Sequence, residues 1–445
     1  MPTPHRPAAA RAALLVALAA LAGTLGACSD DTPADPTPTV LEVPAEYPTI
    51  AAALDVATPG SLVLLAPGTY RESALVDVPD VTLRGLDRAG VVIDGEGLRA
   101  NGVQVVADGV RVENLTVVNH TFNGVLVTGM HDDDGPQAHN MDGYETLDPD
   151  RFPPLRRFSV SHVTASNNGL YGIYAFDARD GVVRDSYASG SADSGFYVGQ
   201  CEECRILVTG NVAENNAIGY ENANASDSVL VAANRFSGNR VGMTLISWYQ
   251  EAFVPQRGDT VVGNLVVDNV SDTSPSHADG AFGLGLGLSG AQDNLVVRNR
   301  IEGNPTAGVQ LTNTEDIPTV GTRLEDNALA GNGVDVADVS AARAPSSGTC
   351  VTGGPATLTT LPADLGSFVC PAGAPERAGA PASALPAPDV PAGTSFLRVP
   401  RGPAQPDLPG DLRAVPPPLP AVPVMPAVED VPLPGRDLLA DRASR

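Results

Sequence analysis

The chain has 445 residues, a formal charge of −25, and no lysine among its 27 basic side chains. That charge excludes nucleic acid as a partner and disfavours unaided binding of any polyanion, because long-range repulsion opposes both. An acidic glycan would need a cation such as Ca²⁺ to bridge it to the carboxylates.

At the start, His5, Arg6 and Arg11 flank the 14-residue apolar run "AALLVALAALAGTL". That run is too short to span a bilayer and has the length of an export signal's core. The next residues, Leu25-Gly26-Ala27-Cys28, resemble the lipobox of bacterial lipoproteins. The resemblance implies cleavage before Cys28, a diacylglycerol on its thiol, and anchoring on the outer face of the membrane, in the periplasm or at the cell surface. An ordinary secretory signal with a chance cysteine is the alternative. Residues 28–40 then read as a solvated tether rich in Pro and Asp. In an oxidising compartment the four remaining cysteines are expected in disulfides. Of three pairings, the local ones, Cys201–Cys204 and Cys350–Cys370, are expected.

Residues 41–345 form the folded body. A repeat runs through it. Gly124, Gly172, Gly195, Gly219, Gly242, Gly285, Gly308 and Gly333 each precede a short apolar strand, at gaps of 48, 23, 24, 23, 43, 23 and 25 residues. The unit is about 23 residues with two or three strands each, which is one turn of an all-β solenoid, a single-stranded parallel β-helix. Asn168, Asn215 and Asn304, each four residues before a glycine, are expected to stack as an amide ladder. The first and third residues after glycine, such as Ile173 and Ala175, point inward; Tyr220 and Asn222 interrupt that pattern.

"YPTIAAALDVATPGSLVLLAPGTYRE" and "VTLRGLDRAGVVIDGEG" resemble the N-terminal cap and first turns of right-handed parallel β-helix proteins of the pectin lyase-like superfamily. The resemblance covers about residues 41–340 and implies a right-handed coil whose open end is covered by a short amphipathic helix over about Ile50 to Ala57. It leaves activity open, because lyases, hydrolases, esterases, epimerases, adhesins and binding proteins share the scaffold. The later turns also resemble the repeats of copper-binding maturation proteins of nitrous oxide reductase. Cys201-Glu202-Glu203-Cys204 lies between two strands, so a disulfide there is a corner brace. Redox chemistry wants a helix N-terminus and a metal wants further ligands.

The two long gaps hold insertions, residues 130–155 and 248–257, which leave from the same corner about four turns apart. Between them the outward position reads Leu126, Tyr174, Tyr197, Glu221 and Thr244, with Phe176 beside Tyr174. These aromatics, with Trp248 and Tyr249, are either a platform for sugar rings or packing beneath the first insertion. Glu221, Asp177 and Asp193 are the candidate acid and base. Asp132, Asp133, Asp134, His131 and His139 are candidate ligands for Ca²⁺, or for Zn²⁺ or Mn²⁺ through the histidines; a solvated acidic loop is the alternative. The motifs that serve pectate lyases, polygalacturonases and uronan epimerases are not found; Asp148-Pro149-Asp150 lacks the epimerase histidine.

Residues 346–372 are expected to be closed by a disulfide. Residues 373–445, rich in Pro and Ala, are expected to be extended or disordered. The chain reads as a monomeric, lipid-anchored extracytoplasmic protein that binds a polysaccharide; whether it also processes it stays open, and an enzyme would be a lyase or glycoside hydrolase. A structural or protein-docking module and a periplasmic copper-handling protein are the alternatives.

Overall fold

The structure is a computed structural model that describes residues 39–133, 135–138 and 146–444. Cys28 with its leader, and Asp134 and His139 of the first insertion, lie outside the described residues.

Eleven short segments stack in chain order as one parallel sheet. They are β1 (Ala74–Val76), β2 (Val103–Val105), β3 (Val125–Thr128), β4 (Ile173–Phe176), β5 (Ser194–Cys201) and β6 (Ile218–Ala225). The stack continues through β7 (Val241–Ile246), β8 (Leu284–Ser289), β9 (Ala307–Thr312), β10 (Val336–Asp338) and β11 (Thr360–Leu361). A 20-stranded parallel sheet forms the remaining sides. Its strand Leu155–Ser166 pairs first with Ala178–Arg184 and then with Tyr187–Ser189, so the chain turns a corner within that sheet. Each circuit therefore lies on the one before it, and the chain is a parallel β-helix.

Alternation directs the side chains. Val125, Val127, Ile173, Ala175, Phe196, Val198, Met243 and Leu245 all enter one continuous interior core. Tyr220 and Asn222, expected to interrupt the pattern, keep it. The Tyr220 ring stacks inside against Phe236 at 5.8 Å between centroids, and Asn222 Nδ2 donates to Asp259 Oδ2 at 2.8 Å. That turn places polar groups in the interior and pairs Asn222 with Asp259 there, while the Tyr220 hydroxyl is buried with no hydrogen-bond partner.

Two corners are held by asparagine ladders. In one, Asn211, Asn234, Asn264, Asn299 and Asn327 are linked turn by turn; Asn234 N and Nδ2 both donate to Asn264 Oδ1, at 3.0 and 2.9 Å. In the other, the backbone N of Asn216 donates to Asn239 Oδ1, and the pattern continues through Asn269, Asn304 and Asn332. Asn168 acts likewise one end earlier, accepting from His120 N at 3.1 Å. Asn215 is not a rung. It adopts φ 57° and its Oδ1 accepts from Ser271 Oγ and Thr273 Oγ1, while Asn216 takes the ladder position. The repeat glycine follows from the same packing. A Cβ on Gly219 would lie 2.5 Å from Gly242 O and 2.9 Å from Asn239 Nδ2, so only hydrogen fits beside the ladder.

The ends are closed differently. Helix α1 (Ile50–Leu54) buries Ile50, Ala53 and Leu54 on the first turn. Thr49 Oγ1 caps it by accepting from Ala52 N, and Glu72 accepts from the N–H groups of Ile50 and Ala51, a carboxylate at a helix N-terminus. Cys201–Cys204 and Cys350–Cys370 are disulfides. The first sits in the interior core at the corner after β5, a brace as its spacing implied.

Residues 373–444 are extended and docked. Gly348 N donates to Ala374 O in the last turn, and Arg413 pairs with Glu42 in the first, at 2.6 Å, so the arm runs the length of the coil. It then doubles back until Arg298 Nε reaches Val431 O. A proline-rich chain has few donors for a strand ladder, but its carbonyls still need partners. Arginines of the coil supply them: Arg84 to Leu412 O and Ala414 O, Arg88 to Pro406 O, Arg240 to Pro391 O, Arg300 to Pro434 O.

Two outcomes are expected. Asn264→Ala, which strands buried donors of Asn234, lowers unfolding free energy by roughly 2–5 kcal/mol in urea denaturation, whereas Asn215→Gly costs less than about 1 kcal/mol; equal losses contradict the ladder assignment. Under native conditions trypsin leaves the arm's arginines uncut long after a denatured chain is digested, as read by intact mass; early release of the arm contradicts its docking.

Candidate functional site

A cleft of about 680 Å³ opens on the outward face of β6 to β9, within the usual size range of ligand sites. Its floor follows from register. Tyr174, Tyr197, Glu221, Thr244, Gly287 and Gln310 stand one above the next on successive strands. At the strand spacing, Glu221 to Gln310 spans about 14 Å along the axis. The adjacent row carries Ala223, Ile246, Ser289 and Thr312.

The aromatic end of that face is covered. Tyr174, Phe176 and Tyr197 are 0, 1 and 2% exposed, packed with Met130, Ala138 and Phe152 of the first insertion. The packing alternative therefore holds for Tyr174 and Phe176, which do not line the cleft. Tyr197 does line it, together with Tyr171, whose ring lies 4.8 Å from that of Tyr197. The apolar residues of the first insertion make this cover, a role its many carboxylates obscure in the sequence.

Two further walls complete the site. The second insertion is held by Asn224, whose Nδ2 donates to Trp248 O and Glu251 O and whose Oδ1 accepts from Trp248 N. Trp248, Gln250 and Glu251 line the cleft, and the Glu251 carboxylate accepts from Tyr197 OH. Tyr249 points elsewhere and donates to Asp316. The opposite wall is a third insertion, residues 268–283, not anticipated from the sequence. Its signal was the 43-residue gap, about 20 residues over the unit, of which residues 248–257 account for only ten. Asn215 and Arg240 hold this wall; Arg240 Nε donates to Ser274 Oγ and its guanidinium sits 5.7 Å from the Phe282 ring centroid. His277, Ala278 and Asp279 reach the cleft from it.

The electrostatics are those of crowded carboxyls. Ser194 Oγ lies 2.5 Å from Glu221 Oε2 and 3.1 Å from Asp193 Oδ1. Burial raises the Glu221 carboxyl well above the usual range, and the charges of Asp193 and Glu251 add to it against the Ser194 hydrogen bond. Burial lowers His277, opposed by Asp193 and Asp279. The cleft thus brings together a carboxyl shifted toward its protonated form and an imidazole shifted toward its neutral form, groups of the kind that donate and accept protons.

Of the other candidates, Asp177 lies at the corner after β4 and does not line the cleft. It is 2% exposed, burial pushes it up to about 7 against the pull of Arg179, and its Oδ2 has no hydrogen-bond partner. In the first insertion Arg151 and Gln137 engage Asp132, while His131 and Asp133 are exposed. Among the described residues no group of three or more His, Cys, Asp or Glu is placed to hold a metal.

Comparison with known proteins fixes the hand of the coil. Residues 72–264 match a family model described as a right handed beta helix region. This is a right-handed parallel β-helix. The architecture is the one implied by the resemblance to the pectin lyase-like superfamily. No curated protein sequence matches the chain. Solved β-helices are similar to it at low identity. The A-module of mannuronan C-5 epimerase AlgE4 from Azotobacter vinelandii is 16% identical, with 66% of this chain and 86% of that one covered and a TM-score of 0.41. ORF18 of Geobacillus virus E2 is 11% identical over 70% and 61%, TM-score 0.47. An alginate lyase from Paenibacillus sp. str. FPU-7 is 13% identical over 67% and 95%, TM-score 0.40. These likenesses concern the coil of the β-helix and leave its cleft to be read from its own residues.

One pH effect follows. Asp177 keeps its proton in the folded β-helix up to about pH 7 and loses it near 4 when unfolded, so the folded state binds more protons between these values. Stability due to this group is full below about pH 4 and falls as pH rises toward 7, by at most about 4 kcal/mol. Asp177→Asn should flatten the fall in a urea-denaturation series from pH 4 to 8; parallel curves for the two proteins contradict it.

Proposed function

We propose that this chain is an exported lipoprotein whose cleft binds a segment of a polysaccharide. One observation carries the glycan reading: a groove along the coil axis that sets the exposed Trp248 ring, beside the buried edge formed by Tyr171 and Tyr197, among the carboxyl and amide groups of Asp193, Glu221, Glu251 and Gln310. Aromatic faces pack on the C–H faces of sugars, while hydroxyls need nearby acceptors. The open length of about 14 Å, three strand steps, accommodates a few sugar rings in line. Where the bound glycan is cleaved, Glu221 is the proton donor and Asp193 or His277 the acceptor. Anchoring rests on Leu25-Gly26-Ala27-Cys28, and the two disulfides suit an oxidising compartment.

A glycan array with the intact chain tests the reading. A Cβ on Gly287 would meet nothing nearer than Leu284 Cδ2 at 3.2 Å, so Gly287→Trp fills the cleft. It should weaken binding of any array hit at least about tenfold while leaving the urea midpoint unchanged. Product analysis with wild type and Glu221→Gln then separates hydrolase or lyase from binding protein. A hit unaffected by Gly287→Trp removes the cleft as its site, and no hit at all favours a structural module.

A further inference from the structure

The open stretch of the stacked row is barred at both ends. On one side the outward residue next to Glu221 is Tyr197, which is buried, and beyond it Tyr174 lies beneath Met130, Ala138 and Phe152. On the other side the residue next to Gln310 is Ala337 of β10. Its side chain faces outward and is still 0% exposed, so part of the chain lies across it. The start of the C-terminal arm is that bar. Ala380 N donates to Asp338 O at 2.9 Å, at the end of β10. A Cβ on Gly333, before the strand begins, would lie 2.9 Å from Pro386 Cγ. The segment from Ala380 to Pro386 therefore crosses from one end of β10 to the other, through a single turn of 3-10 helix at Ala382–Ala384. Leu385 joins Ala337 in one apolar cluster. With the second and third insertions along its sides, the cleft is a box that opens on the side away from the coil.

A groove that runs on past both ends lets a long chain lie through it, and a box does not. The middle of a polymer laid on the row would have to climb over the first insertion at one end and over the arm at the other, within about 14 Å. That lifts its rings off the floor where contacts form, and it still pays to order the chain on both sides. A free terminus escapes this, because the chain behind it leaves through the mouth only once. We infer that the cleft takes the terminus of a glycan, as a short oligosaccharide or as the end of a longer chain, and excludes the interior of a polymer. This rests on the glycan reading above and names the part of the glycan that the cleft selects.

Calorimetric titration of the intact chain tests it. The probes are made from the glycan bound best on the array: linear oligomers of increasing length, the undegraded polymer, and the polymer sheared to half its mean length. Affinity is expected to rise with length until the oligomer fills the open stretch and then to level off. The polymer is expected to show one site per chain, so shearing at fixed mass about doubles the number of sites. Where the glycan is cleaved, short products are expected to accumulate while the polymer keeps most of its viscosity. A number of sites that follows sugar mass and ignores shearing overturns the terminus assignment and leaves the glycan reading standing. Rapid loss of viscosity at low conversion overturns it in the same way. No binding by oligomer or polymer, with no glycan held on the array, removes the glycan reading itself.

Discussion

Everything in this molecule depends on residue-for-residue registry between one turn and the next. Parallel strand pairing alone fixes registry weakly, because a slip preserves its hydrogen bonds and changes only which face each side chain takes. The corners remove that freedom. Asn234, Asn264, Asn299 and Asn327 accept two donors each from the turn before, and one residue of slip would strand both. The glycine beside the second ladder is the steric half of the same lock, because the amide of the next turn occupies the space of its missing side chain.

Registry is also what builds the cleft. An outward position that would be scattered over 90 residues of chain becomes a single row from Glu221 to Gln310. Loops that leave the coil at chosen turns then wall part of that row. The first loop seals the tyrosine end, the second and third flank the open stretch, and the arm from the far terminus supports the third through Pro391 and Thr394. The result is a groove whose floor is the stacked row and whose walls are loops.

How much of this is legible in the sequence depends on whether the feature is periodic. The repeat glycines, the inward positions and the shared side of the first two insertions all follow from spacing, the cap follows from the resemblance of the first turns, and the structure has each of them. The ladder was visible but misplaced by one residue in one turn, because Asn216 stands three residues before its glycine and Asn168 four. Features made by non-periodic segments were not legible. Whether Tyr174 and Phe176 face water depends on how residues 130–155 fold back, which no spacing encodes. The docking of residues 373–444 relies on arginines drawn from turns hundreds of residues away, each contributing a few bonds to carbonyls that any sequence would offer. The third insertion was encoded only as an arithmetic surplus in one gap.

The central claim is that the stacked row is the floor on which a glycan lies. Diffraction from crystals soaked in an oligosaccharide that binds on the array addresses it most directly. The account predicts sugar rings running along the coil axis above Thr244 and Gly287, with sugar hydroxyls within hydrogen-bond distance of the groups that line the groove. Sugar density outside this groove, or lying across the strands, would contradict it.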